Sequence, residues 1–600
     1  MEQGEGHRDA PVIRGNATTA DFYVNGIRDD VQYLRDLYNV ERVEAVKGAN
    51  ALTFGRGGGG GVINRVTKGA GFSPLREVTL QGGTFSNRRG TADFGHAFGE
   101  TIGIRMNGVY ENSDGFRHGF NLERYGIAPS VIWKPAGSTQ VRVGYERFRD
   151  ARTVDRGIPS FAGGPAPAHR STFFGDPDAS HALASIHLGN AVVEHQAGAW
   201  NLRNATMVGD YDKFYQNIFP GAVSADLSSV SLAGYNNATV RRNVFNQTDA
   251  TAIVHTGRFR HTILTGMEFG RQRSVNFRNT AYFGSSTSLA APFADPTVRA
   301  GAHFRQSASD ADNVPEAHVA AAFAQDQIEL SRHVQLVAGL RFDRFRMDFH
   351  NNRGGADLTR TDGMVSPRLG LVVKPAGQLS LYSSYSVSYL PSSGDQFSSL
   401  SATTQTLEPQ KFTNYEAGAK MDVRRLSLTA AVYRLERTNT TAPDPNNPAR
   451  IVQTGSQRTN GFEAGVNGSL TRRWQIAGGY STQDAYIRSA TTAAPAGARV
   501  ALVPRHSFSV WNNYRVLPRW SMGLGVIRQA SSFTGIDNTV RLPAFTRADA
   551  ATFVDLTETV RLQFNLENAF DVTYYPTAHG NNNILPGSAR TLRAALVARF

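Results

Sequence analysis

Gly55-Arg56-Gly57-Gly58-Gly59-Gly60 has the composition of a loop that could cradle phosphate. A dinucleotide fingerprint, however, needs a βαβ unit and an acidic residue about 20 positions on, and a P-loop needs Gly-Lys-Ser/Thr. Neither context accompanies this run, so it reads as backbone that passes close to a neighbouring surface with dihedrals other residues avoid. Glu41, Arg42 and Glu44 could be an acid-base set. On a strand, Glu41 and Val43 share one face while Arg42 and Glu44 share the other. These charges, with Arg56, are predicted to be interface contacts that pair with opposite charges, and such pairs can loosen without a large net loss. Fifteen histidines are scattered, and the closest pairs, His181/His187 and His255/His261, are six apart. There is no His-Glu-x-x-His, no Gly-x-Ser-x-Gly and no cysteine, so no catalytic residue, no protein-held metal and no resident cofactor is predicted.

The elements that must position these residues are strands. Ile102, Ile104, Met106, Gly108 and Tyr110 fall on one side of a segment, with Arg105 and Asn107 on the other. Val334, Leu336, Ala338, Leu340 and Phe342 repeat the pattern against Gln335, Arg341 and Asp343, and further stripes cover Trp520–Val526 and Val560–Leu566. Period two over eight to eleven residues predicts long strands with one apolar face, many ending on Trp, Tyr or Phe. A soluble sandwich or propeller would also alternate, but its strands average five or six residues. With 40% hydrophobic residues and a mean hydropathy of -0.34, the chain has no run near the ~18 apolar residues of a spanning helix.

The connections alternate in length. Lys134-Pro135-Ala136-Gly137, Lys374-Pro375-Ala376-Gly377 and Leu517-Pro518-Arg519-Trp520 read as tight turns, with proline in the first two at the first central position. Long connections are predicted near 150–180, 209–245, 272–316, 391–411, 437–458 and 484–504. Short turns at one end and long loops at the other describe a membrane β-barrel. The two Lys-Pro-Ala-Gly turns lie 240 residues apart. In a barrel of ~22 strands that interval holds ~10, an even number, as two turns at the same end require. The final stripe, Leu592 to Phe600, alternates and ends on an aromatic residue.

The net charge is +13, and only seven of the 63 basic residues are lysine. An arginine excess suits oxyanions, so an anionic ligand and lipopolysaccharide both stand as partners. The basic residues form no dense stripe or tail, and nucleic acid is not expected. Met1 to Ala10 shows no secretory signal.

Residues 11 to 68 differ in kind. Strands are predicted at Asp21–Val24, Val40–Lys47 and Gly61–Thr67, with a helical turn over Ala49 to Phe54, making a mixed α/β unit too small to build much core alone. Val12-Ile13-Arg14-Gly15, Phe22-Tyr23-Val24-Asn25-Gly26, Glu41-Arg42-Val43-Glu44, Lys47-Gly48, Phe54-Gly55 and Gly60-Gly61-Val62-Ile63-Asn64 follow in order. Together they resemble the second half of the plug domain of TonB-dependent outer-membrane receptors, nearest their siderophore-receptor branch of catecholate and ferrichrome type. Asn25 stands where the family has aspartate, Ala49 where it has proline, and the glycine run is longer.

The resemblance implies a membrane all-β fold: a large, about 22-stranded antiparallel transmembrane β-barrel with a partial N-terminal mixed α/β plug in the lumen. Residues 1–70 would be the C-terminal half of the plug and 71–600 the barrel, in the outer membrane of a Gram-negative bacterium. The signal peptide, the TonB box and the first half of the plug would precede these residues, so the chain reads as a fragment or a mis-called start. The implied function is import of a ferric siderophore, driven through the TonB-ExbB-ExbD complex. The alternatives are a receptor for cobalamin or an oligosaccharide, or a passive porin. Carried over by position, two outward plug loops supply ligand contacts: Asn16 and Thr18 from the first, and Arg28, Tyr33 and Arg35 from the second. Glu41, Arg42, Glu44 and Arg56 become plug-barrel contacts. Asp29, Asp30 and Asp36 could instead make only local turn contacts.

Overall fold

The computed structural model describes residues 4–600 except 49, 356, 394, 395, 398, 399, 402, 403, 445 and 446, with side chains left aside over 441–454. Ala49 therefore lies outside the described residues, as do parts of the connections predicted at 391–411 and 437–458. Polarity alternation decides the architecture. Each apolar stripe turns outward and each polar stripe inward, so Met106 and Phe342 are about half exposed while Arg341 is fully buried. Backbone groups in such strands can be satisfied only by neighbouring strands, and the ring closes on itself.

Twenty-two antiparallel strands form the barrel, from Leu75–Gly83 to Thr591–Arg599, and these two pair with each other to close it, with Leu596 opposite Leu80. Two further short strands, Leu289–Pro292 and His303–Arg305, only add to the ends of Ser229–Thr256 and Phe259–Tyr282. One end carries short turns, such as 257–258 and 518–519; the other carries long connections.

Three expectations change. The regions 209–245 and 437–458 are not long connections: Trp200–Val223 and Ser229–Thr256 are strands of 24 and 28 residues joined by a short tip, and Leu426–Asp444 and Asn447–Ser469 run through the second region. Alternation here continues past any lipid band, and sequence polarity alone cannot separate a strand in water from a loop. The longer strands leave eight, not ten, between the two Lys-Pro-Ala-Gly turns, and the even parity stands. Within those turns Ala136 faces Thr139 and Ala376 faces Leu379, so Gly-Ser and Gly-Gln are the central pairs. Pro135 and Pro375 sit instead in the irregularities just before, where a missing N–H costs no ladder bond.

The N-terminal unit forms a four-stranded sheet in the order Ile27–Arg28, Phe22–Val24, Gly61–Thr67, Val40–Lys47. Phe22–Val24 runs parallel to Gly61–Thr67, and the helical turn covers Ala51–Phe54. A small hairpin pairs Val12–Ile13 with Asn16–Ala17. The unit touches wall strands all round the ring: Asp36 meets Arg89, Asp29 meets Tyr211, Asp30 meets Gln272, and Arg14 meets Glu463. It therefore occupies the lumen.

Candidate functional site

The segment after Ile27–Arg28 carries two adjacent aspartates, both fully buried. A buried carboxylate survives only with compensating donors. Asp29 accepts from Arg35 Nε at 3.1 Å, Arg65 Nη2 at 2.8 Å, the Tyr33 hydroxyl at 2.9 Å and the wall Tyr211 hydroxyl at 3.0 Å. Asp30 accepts from Arg56 at 3.0 Å and, on the wall, from Arg241 at 2.9 Å and Gln272 at 2.9 Å. Burial pushes both carboxyls up, but Arg35 and Arg65 around Asp29, and Arg241 and Arg56 around Asp30, outweigh it and hold both below the usual carboxylate value. Burial beside Arg28 lowers Arg56 to about 10, which leaves it charged at neutral pH.

Two more clusters tie the unit to the wall. Asp36 takes Arg89 at 2.8 Å and Arg124 at 3.0 Å, and both arginines also hold the wall residue Glu111. Arg14 pairs with Glu416 at 2.6 Å and Glu463 at 3.2 Å, and lies 3.9 Å over the Tyr433 ring. Lys47 joins Glu463 at 3.0 Å. The glycine run makes the closest approach: a Cβ on Gly59 would stand 2.1 Å from the wall ring of Phe412, and one on Gly60 would stand 2.0 Å from the Ile13 carbonyl oxygen.

The predicted interface charges are placed unevenly. Arg56 reaches the wall through Gln272 at 2.6 Å and lies 5.1 Å over Phe345. Glu41 stands 3.7 Å from the wall residue Arg105. Arg42 and Glu44 pair with each other along their strand at 2.7 Å, and Glu44 also accepts from Asn64. They turn to one another because Val40–Lys47 is an edge strand whose side chains open toward the short-turn end. The wall contacts of Arg14, Asp29, Asp30, Asp36 and Lys47 escaped sequence reasoning. The available signal was three aspartates within eight residues facing an arginine-rich lumen.

Of the five residues carried over as ligand contacts, Asn16, Thr18, Arg28 and Tyr33 are buried, and Arg35 is half-buried with its side chain almost fully covered. Asn16 lies in the small hairpin, and Thr18 Oγ1 accepts from the Ala20 amide. Arg28 donates to the carbonyls of Ala20, Phe54 and Arg56 and to the Tyr23 hydroxyl. Tyr33 and Arg35 are spent on Asp29, and Arg35 also donates to the Val31 carbonyl. The same loop does reach open space, through Val31 and Gln32.

That space is a cavity of about 270 Å³ on the long-loop side of the unit. Arg8, Lys213, Arg241 and Arg278 line it together with Tyr215 and Tyr235. The Lys213 side chain makes no ion pair or hydrogen bond among the described residues. Arg278 lies 3.9 Å over the Tyr235 ring and pairs with Asp310 at 3.2 Å. At its edge Glu5 is driven up by burial, yet Arg8, His7, Arg156 and His579 hold it at about 2. The chamber is net positive, aromatic on one side and closed below by the ion-paired unit. A larger cavity, about 380 Å³, lies toward the short-turn end beside Asn39, Arg42 and Lys68.

A closed 22-stranded barrel filled by a small ion-paired sheet, with long loops at one end, defines an outer-membrane receptor of Gram-negative bacteria. The chain belongs to the TonB dependent receptor-like, beta-barrel family, whose pattern matches residues 28–569. It is 30% identical to the probable TonB-dependent receptor BfrD of Bordetella pertussis, over 98% of this chain and 86% of that protein. It is 27% identical to the probable TonB-dependent siderophore receptor PiuA of Acinetobacter baumannii, over 100% and 86%. The crystal structure of that PiuA receptor superposes with a TM-score of 0.93 at 24% identity, covering 100% of this chain and 92% of that one. The closed form of the ferric-catecholate import receptor Fiu of Escherichia coli K12 gives 0.88 at 25% identity, with coverage of 100% and 92%.

Proposed function

We propose that this receptor captures a ferric siderophore from outside and imports it through the barrel, with energy delivered by TonB and its ExbB-ExbD partners. The observation that carries the reading is the cationic, tyrosine-lined chamber above a lumen-filling unit held by ion pairs. An anionic ferric complex would be held there by charge-assisted bonds from Arg8 and Arg278, by a hydrogen bond from the Lys213 amine and by the Tyr215 and Tyr235 rings. Relatives described as a siderophore receptor and a ferric-catecholate import receptor support the same class of solute.

The chain's work is binding and gating; it makes and breaks no covalent bond. Iron arrives already chelated, so protein metal ligands are not needed. Residues 1–70 act as the plug and 71–600 as the barrel. Asn16, Thr18, Arg28, Tyr33 and Arg35 frame the plug that presents Gln32 to the ligand. Buried ion pairs gain little net stability over a neutral packing, because desolvation offsets their attraction. A plug held by such pairs can be pulled aside without a large loss of free energy.

The test is titration of the protein with ferric catecholate, ferric hydroxamate, cobalamin and an oligosaccharide. The expected result is saturable binding of a ferric chelate, weakened about tenfold, or ~1.4 kcal/mol, in Lys213→Gln and again in Arg278→Gln. Binding of only cobalamin or the oligosaccharide rejects the siderophore reading, and diffusion of small solutes without saturation returns the passive-porin alternative.

A further inference from the structure

A second cavity, of about 280 Å³, opens on the long-loop side of the plug, where the closing strand Thr591–Arg599 meets Leu75–Gly83 and its neighbours. Its charged groups are spent on one another: Arg117 pairs with Asp155 at 2.5 Å, Arg124 with Glu111 at 2.7 Å, Arg593 with Glu567 at 3.1 Å, and Asp114 at the rim accepts from Asn121 at 3.4 Å. The buried amide and hydroxyls are spent as well. Asn87 donates to Glu111 at 3.1 Å and to Ser113 at 2.8 Å while accepting from Gln81 at 2.9 Å, and Thr591 donates to the Ala589 carbonyl. The rest of the lining is mainly hydrocarbon, from Phe85, Phe116, Phe120, Leu122, Leu585 and Pro586.

Phe85 is held at this cavity against its own preference. It and Ser86 stand at φ of +58° and +51°, a left-handed pair that bulky side chains avoid. The Asp114 amide fixes the turn by donating to the Phe85 carbonyl at 2.9 Å. Such strain persists only where the surroundings over-determine it, and it gathers at ligand sites. The Phe116 ring meets Phe85 edge-on, 6.5 Å between centroids, and Arg117 pins the loop that carries it by donating to the carbonyls of Gly157 and Arg170. The cavity also adjoins the cationic chamber. Gly6 lines one space and Glu5 the other, and Asp155 lines the first while Arg156 stands 3.7 Å from Glu5. A Cβ on Gly6 would lie 2.7 Å from the Asp155 carbonyl oxygen, so a single thickness of backbone parts the two spaces.

We infer that the second cavity receives a hydrocarbon tail, and that the ferric chelate taken by this receptor is an acylated one. Its anionic head would occupy the chamber of Arg8 and Arg278, and its acyl chain would pass beside Gly6 to lie against Phe85, Phe116 and Leu122. The inference rests on the siderophore reading above. A sugar or a catechol ring brings hydroxyls that need free partners, which this cavity has used up, whereas an acyl chain needs only to leave water. Adjacency to the chamber selects a tail on the same ligand over a separate apolar molecule.

The test uses the receptor in lipid nanodiscs, free of detergent, with a ferric catecholate and a ferric hydroxamate, each with and without an N-octanoyl group. The octanoyl form of the chelate that binds is expected to bind about tenfold tighter than its parent. Phe116→Asn should remove that advantage and leave the parent's affinity unchanged, while Phe116→Leu should keep it, since hydrocarbon and not an aromatic face is required. A diazirine at the end of the tail should label peptides that contain Phe85, Phe116 or Leu585. Heat-modifiable gel mobility checks that each variant is a closed barrel. Equal binding of parent and octanoyl forms, an advantage that survives Phe116→Asn, or labelling confined to other segments overturns the tail site and leaves the siderophore reading standing. Binding of none of the four chelates rejects both.

Discussion

Asp30 concentrates the cost of the plug's charges in one side chain. Asp30→Asn keeps the volume but leaves Arg56 and Arg241 buried without their anion, and loss of one partner from a buried pair costs about 3–5 kcal/mol. Urea unfolding of the plug, followed by protease access to residues 12–67, should shift by that order; a change under ~1 kcal/mol would contradict it. The pH dependence follows from the direction of the shifts. Asp29 and Asp30 lie below their ordinary values in the folded state because the surrounding arginines outweigh burial. Their contribution is thus present above the unfolded value of about 3.9 and is lost as pH falls through the folded one. Plug stability should be flat from about pH 8 to 5 and fall below about 4, and a loss centred near neutrality would point to other groups.

Among the elements, the glycine run and the wall strand Gln410–Val423 define how closely the plug can approach the barrel. Gly59→Ala drives a methyl into the Phe412 ring, and overpacking of that kind costs about 1–3 kcal/mol. Phe412→Leu should recover part of the loss, so a double-mutant cycle on plug stability is expected to show coupling. Additive effects would place the contact elsewhere. Gly60→Ala should be worse and not rescued by Phe412→Leu, because its Cβ meets a backbone oxygen that cannot rotate away. Strands Val40–Lys47 and Gly61–Thr67 stand where the sequence alone puts them, and the predicted Asp21–Val24 begins one residue later, at Phe22. The two-residue strands Ile27–Arg28 and Asn16–Ala17 were not legible, since pieces so short have no period to read.

At the scale of the whole molecule, closure rests on the pairing of Thr591–Arg599 with Leu75–Gly83. Deleting residues 591–600 would leave two open edges in hydrocarbon, where unpaired backbone groups are not tolerated. The truncated protein is expected to lose heat-modifiable gel mobility, and retention of that mobility would mean that another strand pair closes the ring. Local chemistry in the chain, its period-two polarity, turn residues and plug motifs, determined the barrel and the family, and the number of strands came with the family. Those features depend only on neighbours in sequence or on rules common to all membrane barrels. Which charges meet across the lumen was decided only by the tertiary structure. Arg14 finds Glu463, and Asp30 finds Arg241, across more than 200 residues of chain. Such partners are set by barrel circumference and strand register, and neither is written in the spacing of any one segment.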